Sequence, residues 1–308
     1  MYKIDYSKLS TNIEIFARQV VEGFITGKHK SPYHGFSVEF AEHRLYNSGD
    51  NTKHIDWKLY ARTDKLFNKR YEEETNLRCQ LVIDASSSMY YPIIQNPTLK
   101  KPNKLFFSIY SSAVMMNLFK KQRDAVGLSV FTNELNVHTP SKTTQRHHRI
   151  LYNELNNLLS VDAINESRLT DTSNALHHIA ELLHKRSLVI IFTDFIHPNK
   201  TLEEQFEPFK HLKYNKHEVI LFYLHEPKTE KKLEFSNKPY KFIDLENGQE
   251  LKLNPRLYKE RYKEKAKFHL EELKLKCFQY KIDLIEVDIN KGFDVILNSY
   301  LLKRHKMF

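Results

Sequence analysis

Leu77-Arg78-Cys79-Gln80-Leu81-Val82-Ile83-Asp84-Ala85-Ser86-Ser87-Ser88-Met89 is the stretch on which the reading of this chain turns. From Cys79 to Ile83 it is mostly apolar, hardly alternates, and ends in β-branched Val82 and Ile83. A strand covered on both faces reads this way. The run stops at an acid followed by small hydroxyl residues, which predicts the carboxyl end of a strand in an open α/β sheet. Ligand sites of such sheets lie beside those ends. Asp84, Ser86 and Ser88 alternate, so one loop can aim three oxygens at one point. One carboxylate and two hydroxyls are hard donors that suit Mg²⁺ or Mn²⁺ and not zinc.

Outward from this stretch, the pattern after Arg78 alternates strands with helices, which predicts a doubly wound α/β sheet. Lys104 to Lys121 reads as an apolar-rich helix, Ala125 to Phe131 as a strand, and Leu135 to Thr139 as its antiparallel partner. Helices follow over Arg146 to Leu159 and Ser173 to His184. Leu188-Val189-Ile190-Ile191-Phe192-Thr193-Asp194 is a second buried strand that ends in an acid. Asn247-Gly248 sets a hairpin near 241–253, and Pro255 to Lys281 is a long charged helix. Residues 77–308 are therefore read as one domain: a mainly parallel six-stranded sheet with helices on both faces. Residues 1–76 are read as a small α/β extension that packs on it, with Trp57 largely buried, because so short a segment cannot fill a core alone.

Composition excludes several classes. An apolar fraction of 41% over 308 residues supports a real core. No run approaches the roughly 18 apolar residues of a membrane span, and Met1 to Ser10 lacks the apolar segment of a signal peptide. Cys79 and Cys277 fall in a predicted strand and helix, which implies buried thiols of a reducing compartment and a cytoplasmic protein. The net charge of +10 raises nucleic-acid binding as an alternative. The lysines are interspersed with acids, as in Lys259-Glu260-Arg261-Tyr262-Lys263-Glu264-Lys265, which is the pattern of a solvated helix, and no nucleic-acid partner is expected.

The chemistry concentrates at three places. Asp84 and Asp194 end buried strands and would share one edge of the sheet, and Leu169-Thr170-Asp171-Thr172-Ser173-Asn174-Ala175-Leu176 supplies a hydroxyl-rich loop between them. Asp-x-Ser-x-Ser, a threonine loop and a strand-terminal Thr-Asp together make a metal-ion-dependent adhesion site. Such a site leaves one coordination position open for a partner's carboxylate. The plainer alternative is that both acids cap helices. A phosphatase with an aspartate nucleophile would need a second acid where Ser86 stands, and no Gly-x-Ser-x-Gly elbow surrounds either serine. His147-His148 and His177-His178 are adjacent pairs that point to different helix faces and make poor chelates.

At these residues the chain resembles a von Willebrand factor A-type domain. Gly35 to Asp50, Ile55-Asp56-Trp57, Ala61-Arg62, Asp124 to Leu128, Thr170-Asp171 with Ala175-Leu176, and Thr193-Asp194-Phe195 are more narrowly similar to the bacterial domain of unknown function family 58. The resemblance implies a metal set of Asp84, Ser86, Ser88, Thr170 and Asp194. Thr170 is preferred to Thr172 by its offset from Ala175-Leu176. It also implies a non-enzymatic adaptor for a MoxR-type AAA+ ATPase, or for another protein offering an acidic residue, with Mg²⁺ or Mn²⁺ as cofactor. A metal-dependent phosphohydrolase is the alternative. Arg44, Asp50, Asp56, Trp57 and Arg62 form the family's charged signature, read either as partner-binding or as an internal packing network. Phe195 stands where adhesion-type domains have glycine, which would crowd the metal's open face.

Overall fold

In a computed structural model of the chain, residues 12–27, 40–45, 57–71, 77–160, 172–195, 201–245 and 248–307 are described. The chain divides into two compact units: Met1–Phe24 with Leu77–Phe308, and Ile25–Asn76.

The larger unit is built on β3 (Arg78–Asp84), β4 (Ala125–Phe131), β5 (Leu135–Lys142), β6 (Leu188–Thr193), β7 (Glu218–His225) and β10 (Asp283–Asp288). Their order across the sheet is β10-β7-β6-β3-β4-β5. Every pairing is parallel except β4 with the edge strand β5. Strand order reverses between β3 and β6, so the topological switch point lies where Asp84 and Asp194 end their strands. This is the von Willebrand factor A-like, doubly wound sheet.

Alternate residues of the central strands feed two cores. Leu81 and Ile83 join α1 (Ile13–Gly27), α3 (Lys104–Gln122), α4 (Gln145–Ser160) and α8 (Asp294–Met307) on one face. Val82, Val189 and Ile191 join α5 (Thr172–Leu182), α6 (Leu202–Tyr214) and α7 (Pro255–Gln279) on the other. The sheet is apolar on both faces because helices cover both.

Helix α1, read from the sequence as part of the extension, packs in the core of the sheet unit. Phe16 is fully buried, its ring edge-on to Tyr110 at 4.9 Å and to Phe293 at 5.3 Å. Its apolar stripe is thus matched by side chains beyond residue 100, so the unit boundary falls after Phe24, in the last turn of α1. The smaller unit pairs β1 (Phe40–Leu45) antiparallel with β2 (Phe67–Tyr71) and carries α2 (Trp57–Thr63). Trp57 is 62% exposed, its ring edge-on to Tyr60, which corrects the expectation of a buried tryptophan. No α2 residue is buried, so this helix gives the ring no apolar bed.

The expected hairpin forms from β8 (Tyr240–Ile243) and β9 (Glu250–Leu253). Gly248 takes a φ of +71° there, a conformation glycine adopts without penalty. Both cysteines are buried and free, as expected of structural thiols. No described helix is long and apolar enough to cross a membrane.

Candidate functional site

Asp84 ends β3 at 1% exposure, with its carboxylate held by two donors. The Ser86 amide donates to Oδ1 at 2.9 Å, and the Thr193 hydroxyl donates to Oδ2 at 2.6 Å. The first bond turns the chain into a 3-10 turn over Ser87–Tyr90, which brings the Ser86 and Ser88 hydroxyls to 3.1 Å from each other. The second bond crosses from β6 to β3 and ties the two strand ends together. Burial, and then the neighbouring charge of Asp194, push the Asp84 carboxyl up to about 6; the bonds from Thr193 and Ser86 act in the opposite sense.

Asp194 is 2% exposed and ion-paired to the ammonium of Lys104 at 2.7 Å. Lys104 opens α3, whose first turn is capped by Asn103 accepting from the Phe106 amide. Its Nζ also reaches Glu230 at 2.6 Å and lies 5.6 Å from the Tyr91 ring centroid. Burial alone would drive the ammonium to lose its proton, but Asp194 and Glu230 outweigh it and hold the group charged, above its ordinary range. Glu230 sits in a single π turn over Pro227–Lys231, and Tyr262 of α7 donates to its backbone carbonyl at 2.7 Å.

Phe195 does not crowd this edge. Its ring is 2% exposed and packs beside Phe206 and Phe209 in the second core. Its φ of +50° explains why glycine serves the same position elsewhere.

These donors fit a hard divalent cation. Neighbouring oxygens around an ion with bonds of about 2.0–2.1 Å lie about 2.9 Å apart in an octahedron. The Ser86–Ser88 separation of 3.1 Å is close to that edge. Asp194 and Glu230 share one ammonium, and Asp84 is buried beside Asp194 with neutral donors only, so the edge carries an excess of negative charge. Among the described residues no three His, Cys, Asp or Glu side chains group as a metal cluster, so a cation here depends on the hydroxyls.

The structure brings together Asp84, Ser86, Ser88 and Asp194 of the predicted set. Thr170 lies outside the described residues, as do Asp50 and Asp56 of the signature. Arg44 stands on β1 opposite Asn68, and Trp57 and Arg62 are exposed on α2. Sequence reasoning missed Lys104 and Glu230, and it quoted Thr193 with Asp194 without assigning it the bond to Asp84. The available signal was Lys104 itself, a cation heading an otherwise apolar helix face behind an Asn cap. The histidine pair on α4 is structural: His147 Nε2 bonds the Val126 carbonyl, and His148 is buried beside it.

Relatives of the chain are themselves uncharacterized. It is 22% identical over 198 residues to the uncharacterized protein Rv1480 of Mycobacterium tuberculosis and, equally, to Mb1516 of Mycobacterium bovis. Those matches cover 63% of this chain and 60% of each relative, so the chain spans about three-fifths of their length. Among solved structures it is similar to BatB from Bacteroides thetaiotaomicron, with 15% identity, a TM-score of 0.42, and 75% of this chain and 100% of that chain covered. An aerotolerance-related membrane protein from Bacteroides fragilis matches with 16% identity, a TM-score of 0.39, and coverage of 72% and 97%. The family model described as protein of unknown function DUF58 matches residues 42–272, three-quarters of the chain, and the chain belongs to that family.

Proposed function

We propose that this protein is a non-enzymatic, divalent-metal-dependent protein-binding module of the cytoplasm, the adaptor or partner of a MoxR-type AAA+ ATPase. The observation that carries this reading is the pair of serine hydroxyls 3.1 Å apart beside a buried carboxylate at the switch point of the sheet. Asp84, Ser86 and Ser88 would hold Mg²⁺ or Mn²⁺, with Asp194 and Thr170 completing the set. Bound there, the cation supplies an electrophilic position that a partner's Asp or Glu completes. The chain's own part is to orient the donors. The Ser86 amide and Thr193 hydroxyl fix the plane of the Asp84 carboxylate, and Lys104 takes up part of the charge of Asp194.

A metal-dependent phosphohydrolase would use the same edge. It is the weaker reading, because Ser86 stands where that chemistry needs a second acid. The experiment measures Mn²⁺ binding to the full chain and to Asp84→Asn, and binding of a purified MoxR-type ATPase with Mg²⁺ or with chelator. Weak Mn²⁺ binding that Asp84→Asn removes, and ATPase binding that chelator removes, are expected. ATPase binding indifferent to both would remove the metal from the function. Phosphomonoester turnover lost in Asp84→Asn would replace the adaptor with the hydrolase.

A further inference from the structure

Lys104 touches both halves of the donor set at the sheet edge. Its ammonium lies 2.7 Å from Oδ2 of Asp194, and its backbone amide donates to the Tyr91 carbonyl at 3.0 Å. The Tyr91 amide in turn donates to the Ser88 carbonyl at 3.1 Å, so the loop that carries Ser86 and Ser88 ends on Lys104. Glu230 gives the same ammonium a second anchor at 2.6 Å. That carboxylate does not need Asp194 to hold its place. Its Oε2 accepts from the Glu226 amide at 2.5 Å, and the Glu226 side chain caps the π turn by accepting from the Thr229 amide at 2.7 Å. Two acids therefore share one ammonium, and only Asp194 belongs to the proposed metal set. An ammonium and a divalent cation are alternative counter-charges for one carboxylate, and each weakens the other's hold by like-charge repulsion. A buried lysine that loses its only partner is strongly destabilising; the independent anchor at Glu230 avoids that loss.

We infer that Lys104 is a built-in rival of the divalent cation for Asp194, a role that presupposes the metal site proposed above. Without the cation, Lys104 neutralises Asp194. With it, Asp194 exchanges the ammonium for the cation, and Glu230 alone retains Lys104. The lysine thereby sets the affinity of the site. It holds that affinity low, so that occupancy depends on the further negative charge a partner's carboxylate brings.

The test is titration of the full chain with Mn²⁺, read from the electron paramagnetic resonance signal of the free ion, in wild type, Lys104→Met and the milder Lys104→Gln. Both variants, checked for unchanged circular dichroism, should bind Mn²⁺ about tenfold or more tighter than wild type. Mn²⁺ should also raise their urea midpoints more than that of wild type. A merely structural lysine predicts the opposite sign, because a loosened edge binds the ion more weakly. Adding Asp194→Asn to Lys104→Gln should remove the gain. Glu230→Gln tests the role in a chain that keeps Lys104: with the second anchor gone the ammonium stays on Asp194, and Mn²⁺ binding should weaken about threefold or more. The same change should matter less in the Lys104→Gln background. Affinity unchanged or weakened in both Lys104 variants, or unchanged in Glu230→Gln, would overturn the role of Lys104 and leave the metal site standing. No Mn²⁺ binding by wild type or by either Lys104 variant up to about 10 mM would overturn both.

Discussion

The ammonium of Lys104 lies 2.7 Å from Oδ2 of Asp194, a residue 90 positions further along the chain, and neither is more than 2% exposed. The bond joins the first turn of α3 to the end of β6 across the switch point of the sheet. It places a fixed positive charge beside the candidate cation site, and Glu230 extends the pair to the π turn over Pro227–Lys231. The edge is therefore a mixed-charge network in which one acid, Asp84, is held by neutral donors and the other by a cation.

Removing one member of this network leaves the others buried and uncompensated. Lys104→Met is expected to destabilise the fold by about 3 kcal/mol or more. In a double-mutant cycle with Asp194→Asn, the second substitution should cost much less in the Lys104→Met background than in the wild type. Urea denaturation provides the measurement, and strictly additive losses would show that the pair is not coupled.

A second buried pair closes the opposite end of the sheet unit. Asp124, 2% exposed, accepts from the Leu77 amide at 3.2 Å and is ion-paired to Arg304 of α8, which also donates to Gln122 at 2.8 Å. Arg304→Ala should cost about 3 kcal/mol, because it strands the carboxylate. Arg304→Ala with Asp124→Asn should recover a substantial part. A single variant that unfolds at the wild-type urea midpoint would contradict this assignment.

Gly127 on β4 is required by contact, not by φ. A Cβ there would lie 2.3 Å from Gln80 Oε1 and 2.5 Å from the Thr139 carbonyl oxygen. Gln80 cannot simply swing aside, since its amide donates to Ser129 at 2.8 Å and to that same Thr139 carbonyl. Gly127→Ala is expected to lose about 1–3 kcal/mol through overpacking. Unchanged thermal stability in this variant would show that the edge strand β5 can move away.

Stability should fall with acid through His148. Burial, with Lys120 and His147 adding to it, lowers this imidazole from 6.5 to about 4. Between those values the unfolded chain binds a proton that the folded chain refuses, so the contribution is complete above pH 6.5 and is lost as pH drops toward 4. The full displacement is worth about 3 kcal/mol. His148→Leu should flatten the decline in urea midpoint between about pH 7 and about pH 5 relative to wild type; parallel pH profiles would refute the assignment.

Much of the architecture was legible because it is written in local periodicity. The apolar runs ending in Asp84 and Asp194 identified two central strands and put both acids at one edge. Asn247-Gly248 marked the hairpin through turn chemistry alone. The Asp124 to Leu128 motif was recognised as a signature, while its reasons, a buried ion-paired carboxylate and a missing Cβ, emerged only from the packing around it.

By itself, then, the sequence determined strand identity, the mainly parallel sheet and the alternation of Asp84, Ser86 and Ser88, since each depends on residues a few positions apart. Tertiary structure decided the rest. It sent the apolar face of α1 into the larger unit's core, turned the Phe195 ring away from the edge, and left Trp57 exposed. It also buried Lys104, a residue type that in sequence reads as surface. A lysine is retained inside only when carboxylates compensate its desolvation, and Asp194 and Glu230 come from 90 and 126 residues away. No pattern of neighbours along the chain encodes that meeting; the fold creates it.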